Sequence, residues 1–413
     1  MELEYVSSAW QVVTCALALL LGVAITLVMC RKFRTSQKWG LLLYFWHTGF
    51  SLFYAKIVLE NGGDAVDYYV ASLESDIQFS VGTAGVDYFT RFFSHYLDFS
   101  YLGVFLVYNI FGVIGLLAFD AVLRTVTRGR GPFLRWLAIV IVMLPSISFW
   151  SSAIGKDSVA FMATSLALWA SMSLPRRSPQ MILAIVCMFL VRPHIAGVMI
   201  GAIAASALIS SRMPWKWRAL LVGLALSASA VVIPFSMRYA GLGDATSAAD
   251  VTEYIQKHQG YNQQGGGAID VAGMSLPMQL FSYVFRPLPY EAHDIFGLAA
   301  SADNVILLML FVLGVWGMIR KGSRVVLSNR PFLWLYIIGA WLILAPMTAN
   351  LGIAVRQKWM FVPMLICLLM ASVRDKPVRR LAQEADPAPS AALPTASLPT
   401  SAAGGPRPLR PRP

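Results

Sequence analysis

Residues 12–30 read VVTCALALLLGVAITLVMC and residues 305–319 read VILLMLFVLGVWGMI, and neither run carries a charge. A helix needs roughly 20 apolar residues to cross about 30 Å of hydrocarbon, and both runs approach that length. Similar runs recur along the chain between short polar joints. Over the 413 residues, 57% are hydrophobic and 13% charged, with a mean hydropathy of +0.63. Soluble domains carry about a quarter charged residues, so the composition excludes an ordinary soluble fold and points to an all-α, polytopic membrane bundle.

The net charge of +12 raises the question of nucleic acid. The basic residues fall in short clusters between apolar runs, with no interleaved aromatics and no nucleic-acid motif, so that partner is excluded. Cytoplasmic loops collect Lys and Arg. The clusters are Arg31–Lys38, Arg124–Arg135, Arg176–Arg177, Arg212–Arg218, Arg320–Arg330 and the tail from Arg374, which together hold 24 of the 33 basic residues. Putting all of them on the cytoplasmic side demands an even number of crossings between neighbouring clusters.

Eleven spans satisfy that condition: 10–30, 40–59, 100–123, 134–151, 158–174, 180–191, 195–211, 218–236, 303–319, 332–350 and 357–373. The N-terminus is expected outside and the C-terminus inside. Reading 180–191 and 195–211 as one helix kinked at Pro193 would put every later cluster outside, so two crossings are expected, the first of them short. Glu2 and Glu4 precede the first span and Arg31 and Lys32 follow it, the reverse of a cleaved secretory signal. Cys15, Cys30, Cys187 and Cys367 all fall within spans and form no readable disulfide or metal framework. Residues 1–375 form the membrane domain. The stretch 376–413, rich in Ala, Pro and Ser, cannot bury a core and is expected to be a disordered cytoplasmic tail. No repeat of 20–50 residues and no inverted pair of broken helices is found.

Two long external segments, 60–100 and 237–302, hold most of the polar complexity. The first opens ENGGDAVDYY, with Asp64, Asp67, Tyr68 and Tyr69 at the membrane edge. Carboxylates three apart can share a helical face, where they could hold a cation or divide general-base and orienting work. The plainer alternative is a helix N-cap at Asp64 or Asp67. Downstream, GVDYFTRFFSHYLDFS sets Phe89, Phe92, Phe93, Tyr96 and Leu97 opposite Thr90, Arg91, Ser94, His95 and Asp98, with Asp87 as cap, which predicts an amphipathic helix in the interface plane.

In the second segment, Ser247, Asp250 and Gly260 bound one expected helix. Ser275 and Pro277 start another, and RPLPYEAHD then brings Arg286, Tyr290, Glu291, His293 and Asp294 together. Arg192 in VRPH, Arg286 in FRPLP and Arg356 in VRQKW share a setting, each flanked by apolar helix ends. A charge at a helix centre in the membrane costs at least about 2.5 kcal/mol and usually marks a ligand or pathway. Guanidinium groups suit a phosphate or diphosphate at the interface, with Lys156, His194 and Lys358 as further donors. The alternative is snorkelling to lipid headgroups, or pairing with an acid. Asp157 is expected to pair with Lys156.

GDAVDYY after the second span, the interfacial helix before the third and the later arginines resemble the GT-C superfamily of membrane glycosyltransferases. PSISFWSSAIGKDS, LVRPH, FRPLPYEAHD and RQKWMFVP resemble bacterial polysaccharide repeat-unit polymerase-type proteins, loosely over residues 40–370. The resemblance implies a GT-C-like bundle in a bacterial inner membrane with periplasmic amphipathic helices, a polyprenyl-(di)phosphate-linked saccharide donor, a saccharide acceptor and other polysaccharide-assembly proteins as company. It implies that Asp64, with Asp67 as second candidate, acts as base or metal ligand. Tyr68, Tyr290, Glu291 and His293 would then contact substrate. The adjacent acidic pair of many members is missing, so the metal, Mg²⁺ or Mn²⁺, is left undecided. A transporter or flippase of anionic solutes and a non-enzymatic assembly scaffold are the rival classes. If the charge reading holds, a single cysteine placed at position 262 will react with an impermeant maleimide from the external side of intact cells; labelling only from the cytoplasm would contradict it.

Overall fold

The computed structural model describes residues 3–74, 78–209, 267–271, 273–292, 294–320 and 327–373, with a scatter of helical positions between 215 and 230. The predicted helix around 247–260, most of the predicted span 218–236 and the tail lie outside the described residues. Among the described residues the secondary structure is helical apart from one isolated bridge, Ala268 to Asn350.

The chain begins with α1 (Ala9–Phe33), α2 (Gln37–Asn61), α3 (Asp64–Ser72), α4 (Thr83–Arg91) running into a π turn (Phe92–Tyr96), and α5 (Tyr101–Val126). Next come α6 (Pro132–Val142), α7 (Pro145–Trp150), α8 (Lys156–Ser171), α9 (Leu174–Val191) and α10 (Pro193–Ile209). After the gap come α11 (Leu276–Phe285), α12 (Ile295–Ile319), α13 (Arg330–Met347), α14 (Leu351–Gln357) and α15 (Val362–Ser372). Among the described residues seven stretches are long and apolar enough to cross a membrane: α1, α2, α5, α6–α7 together, α9, α12 and α13. The bent pair α14–α15, broken by 67°, would be an eighth. The fold is that of a multi-pass helical membrane protein. Of the eleven predicted spans, those at 158–174 and 195–211 correspond to α8, with 16 residues, and α10, of which 17 residues are described; neither is among the seven.

Serines start the first long helices. Ser8, Ser36 and Ser100 accept hydrogen bonds from the N–H groups of Gln11, Trp39 and Gly103, satisfying donors that a helix start leaves free. The centre of the bundle is α5, buried along most of its length and packed on α1, α2 and α8. The chain turns back at Arg192, whose φ of −146° and ψ of 76° break the helix. Ile200 then packs on Ile185 and Phe189, residues that would lie a full helix length away in a continuous rod. The short predicted span 180–191 is the second part of an 18-residue helix with a kink at Arg177.

The predicted amphipathic helix is present, with its aromatic face turned out of the bundle. Phe89, Phe92 and Tyr96 are exposed, whereas Thr90, Arg91 and Ser94 are buried. Thr90 Oγ1 meets the Tyr108 hydroxyl at 2.9 Å and Ser94 Oγ meets Ser72 Oγ at 2.7 Å. Beside lipid, apolar side chains can face outward, and the polar ones gain by hydrogen bonding inside the protein. Asp87 stands mid-helix rather than at the cap, which is Gly82.

Contacts gather several basic joints at one end. Arg124 pairs with Asp120 at 2.7 Å and donates to the Arg34 carbonyl at 3.0 Å; Arg130 donates to the Val373 carbonyl; Arg177 donates to the Trp169 carbonyl at 2.6 Å. The opposite end holds the α2–α3, α7–α8, α9–α10 and α13–α14 joints. Between α2, α5 and the residue after α7, His47 lies fully enclosed, with Nδ1 2.5 Å from Asn109 Oδ1 and Nε2 2.9 Å from Ser151 Oγ. Gly112 of α5 leaves the room for this, because a Cβ there would run into the Ser151 carbonyl and the His47 ring. Gly112→Ala should therefore destabilise the protein by about 1–3 kcal/mol through overpacking. Gly49→Ala, with nothing within 4 Å of the added carbon, should change stability by less than about 1 kcal/mol. Thermal unfolding in detergent compares the two, and equal shifts would contradict this packing.

Candidate functional site

Two glycines turn the chain out of α2. Gly62 (φ 77°) and Gly63 (φ 145°) adopt backbone angles that other residues rarely reach, and they deliver Asp64 as the first residue of α3. Gly63 occupies the cap position, so Asp64 is not the cap. Its Oδ2 instead accepts a hydrogen bond from Arg356 at 2.6 Å. Gly155 (φ 144°) plays the same turning role at the start of α8, where Lys156 and Asp157 follow.

Asp157 is the hub. Its Oδ2 accepts from Arg356 Nε, and its Oδ1 accepts from Arg192 at 2.9 Å. Four charges thus run Asp64–Arg356–Asp157–Arg192, drawn from α3, α14, α8 and the α9–α10 joint. Only Asp64, with its side chain 53% exposed, opens to the surroundings; those of Asp157 and Arg192 are 14% and 10% exposed. The expected pairing of Asp157 with Lys156 does not occur. Lys156 reaches away and donates to Thr83 Oγ1 on α4 at 2.7 Å, because two guanidiniums already saturate its neighbour. Two carboxylates balance two arginines, and Lys156 stands apart from them on the α4 side, within electrostatic range of Asp87. His194 lies within electrostatic range of Arg192 and Lys156.

Tyr68 is buried and lies against Gly155, where an added Cβ would sit 3.2 Å from its ring. Burial, reinforced by the charges of Asp64 and Asp157, pushes its phenol well above the usual tyrosine range, so it stays protonated and can donate.

Two spaces adjoin these groups. One is a pocket of about 10 Å³, room for about one water molecule, walled by Tyr54, Asp64, Trp150, Gly155, Asp157 and Arg356 among others. The other is a cavity of about 550 Å³ between α2, α7, the start of α12 and α14. Phe50, Phe53, Phe149, Trp150 and Phe296 give it an aromatic lining, and Glu291, Asp294 and Asn350 add polar edges. Trp150 belongs to both walls.

The other predicted residues fall elsewhere. Arg286 does not join Arg192 and Arg356; it binds Glu291, with Nε 2.7 Å and Nη2 2.5 Å from Oε1. The Leu288 N–H donates to Glu291 Oε2 at 2.7 Å. Burial alone would raise the Glu291 carboxyl, but the hydrogen bonds from Arg286 and Leu288 outweigh it and hold its pKa below the usual range. Tyr290 is 78% exposed, and Asp67 is exposed and outside the chain of ion pairs. His293 lies outside the described residues.

Lys358 is not at the surface. It is fully enclosed, donating to Asn304 Oδ1 and, at 3.4 Å, to the Val284 carbonyl. Asp303, also buried, accepts from the Ser146 N–H at 2.9 Å and stands about 12 Å along α12 at 1.5 Å per residue.

Among the described residues no three His, Cys, Asp or Glu side chains come together as metal ligands, and the four cysteines are free. Asp64 and Asp157 share Arg356 between them, so this donor set does not fit Mg²⁺ or Mn²⁺. Asp157, Trp150 and Asp87 are the residues that sequence reasoning passed over as site candidates. The last has a buried oxygen without a hydrogen-bonding partner among the described residues and a carboxyl pushed up to about 6 by burial, partly countered by Lys156. No protein-family model matches the chain, and neither a curated protein nor a solved structure matches it.

Removing one partner from a buried ion pair leaves a charge uncompensated. Asp157→Asn, which strands two arginines, should destabilise the protein by about 3–5 kcal/mol. Asp67→Asn should stay within about 0.5 kcal/mol of the parent. Unfolding in detergent measures both, and a stable Asp157→Asn protein would contradict the role of Asp157 as hub.

Proposed function

We propose that this protein is a membrane-embedded glycosyltransferase or polymerase that uses a polyprenyl-(di)phosphate-linked saccharide donor, working on the periplasmic side of a bacterial inner membrane. The observation that carries the reading is the row of ion pairs that links a half-exposed carboxylate, Asp64, through Arg356 and Asp157 to Arg192 beside an aromatic cavity. A lipid-linked saccharide has an apolar tail, an anionic joint and a polar head, and the site offers a partner for each.

In the reaction, the Asp64 carboxylate accepts the proton of an acceptor hydroxyl as its oxygen bonds to the anomeric carbon. The bond from that carbon to the phosphate oxygen breaks, and the lipid (di)phosphate leaves with the electron pair. Arg356 and Arg192, with Lys156, stabilise the growing negative charge. In the resting arrangement Arg356 occupies one oxygen of the Asp64 carboxylate. An arriving phosphate competes for the same guanidinium and frees the carboxylate where it is needed. Tyr68, kept protonated, is placed to donate to a substrate oxygen.

A transporter or flippase of lipid-linked saccharides is the second reading, favoured by the enclosed Asp303, Asn304 and Lys358 behind the cavity wall. Ionisable groups at membrane depth often line a transport path. Asp64→Asn separates the two. As a general base, Asp64 contributes roughly 10²- to 10⁴-fold, so the Asn variant should remain folded and inserted while transfer from purified lipid-linked oligosaccharide drops by about that factor. Turnover near the parental rate would remove Asp64 from the chemistry.

A further inference from the structure

We infer that Trp150 is a specificity-determining partition: it separates the aromatic cavity from the charged pocket and selects a ligand in which an oxygen-bearing head adjoins an apolar segment. The ligand class rests on the reading under Proposed function, whereas the partition rests on geometry alone.

Trp150 lines the cavity of about 550 Å³ and also the pocket of about 10 Å³. The next stretch of wall is equally thin: Val355 faces the cavity and its neighbour Arg356 the pocket. The indole is held edge-on by Tyr54 and Phe149, with ring centroids 5.5 and 5.0 Å away. Its backbone is held too, since the following residues bond to α2, Ser151 to His47 and the Ser152 carbonyl to Ser51.

The indole N–H also lacks a protein acceptor among the described residues, a state shared with Trp136, Trp169, Trp316 and Trp334, none of which lines either space. The N–H groups of Trp10, Trp39 and Trp341 donate to protein oxygens at 3.0, 3.1 and 3.0 Å. That of Trp150, unlike those of Trp46 and Trp359, is not sealed from the surroundings. An indole N–H only donates, so the group it suits is an oxygen acceptor. A ligand spanning both compartments passes the indole at the point where its apolar portion ends.

The test uses a full-length variant lacking the four native cysteines, with Ala153→Cys as a reporter in the small pocket. N-ethylmaleimide should label it slowly, since the pocket holds about one water. Trp150→Ala should raise the rate by about tenfold or more by joining the spaces, because labelling of a walled-in thiol otherwise waits on local opening. Trp150→Phe should stay near the parent. Equal rates in all three would overturn the partition. So would matching acceleration at Cys367 retained as the single thiol, since a general loosening would then explain the effect.

Binding of farnesyl phosphate by calorimetry reads the selection. Trp150→Phe should weaken it by about fivefold, the worth of one hydrogen bond near 1 kcal/mol, and leave binding of the hydrocarbon farnesene, which has no oxygen acceptor, unaffected. Unchanged affinity in Trp150→Phe overturns the selection. A parent that labels as expected but binds no farnesyl phosphate overturns the selection together with the proposed function, and leaves the partition standing.

Discussion

One carboxylate, that of Asp157, holds two arginines that arrive from distant parts of the chain, and one end of the bundle is organised around that fact. Taking three charges out of water is unfavourable unless each finds partners of opposite sign at close range. Asp157 meets that condition for Arg192 and Arg356 at once, and Arg356 extends it to Asp64. The ends of α3, α8, α9 and α14 are therefore not free to drift apart. The same arrangement leaves Arg356 one exposed partner, Asp64, while the enclosed Asp157 keeps both arginines paired and in place.

The bilayer, acting as solvent, explains features that look backward by the standards of soluble proteins. The helix α4 turns its aromatic residues outward and buries Thr90 and Ser94 against Tyr108 and Ser72. In the interior, His47, Asn109 and Ser151 form a linked polar set with each hydrogen-bonding partner accounted for. Such sets specify how α2, α5 and the α7–α8 joint sit together, since leaving any member unpaired in an apolar medium is unfavourable. They also fix the backbone beside Trp150, so the packing of the core and the shape of the site are a single problem.

The long spans were legible because their signal is local. The apolar runs of α1, α2, α5, α12 and α13 can be read from consecutive residues, and short polar cap residues, Ser8, Ser36, Ser100, Asp294 and Asn329, precede them. The breaks inside α6–α7 and α14–α15 were less so, since apolar composition continues across them. Asp64, Arg192 and Arg356 could be nominated from their setting at helix ends. Asp157 could not, because its partners lie 35 and 199 residues away, and the adjacent Lys156 offered a nearer and misleading explanation. Arg286 has the same local context as the other two arginines, yet Glu291, five residues on, claims it. Lys358 reads as an external base beside Arg356 but turns inward toward Asn304. Which way a charged side chain turns at the end of a helix is decided by tertiary neighbours, and no periodicity encodes that.

The central claim is chemical: the group of charges around Asp157 serves bond formation rather than passage. Its most direct test is incubation of the purified protein in detergent with a polyprenyl-diphosphate-linked oligosaccharide, followed by mass spectrometry of the products. The account predicts a lengthened saccharide joined by a new glycosidic bond, with release of free polyprenyl diphosphate. Recovery of the lipid-linked saccharide unchanged, together with its movement across the bilayer when the protein is reconstituted in vesicles, would contradict it.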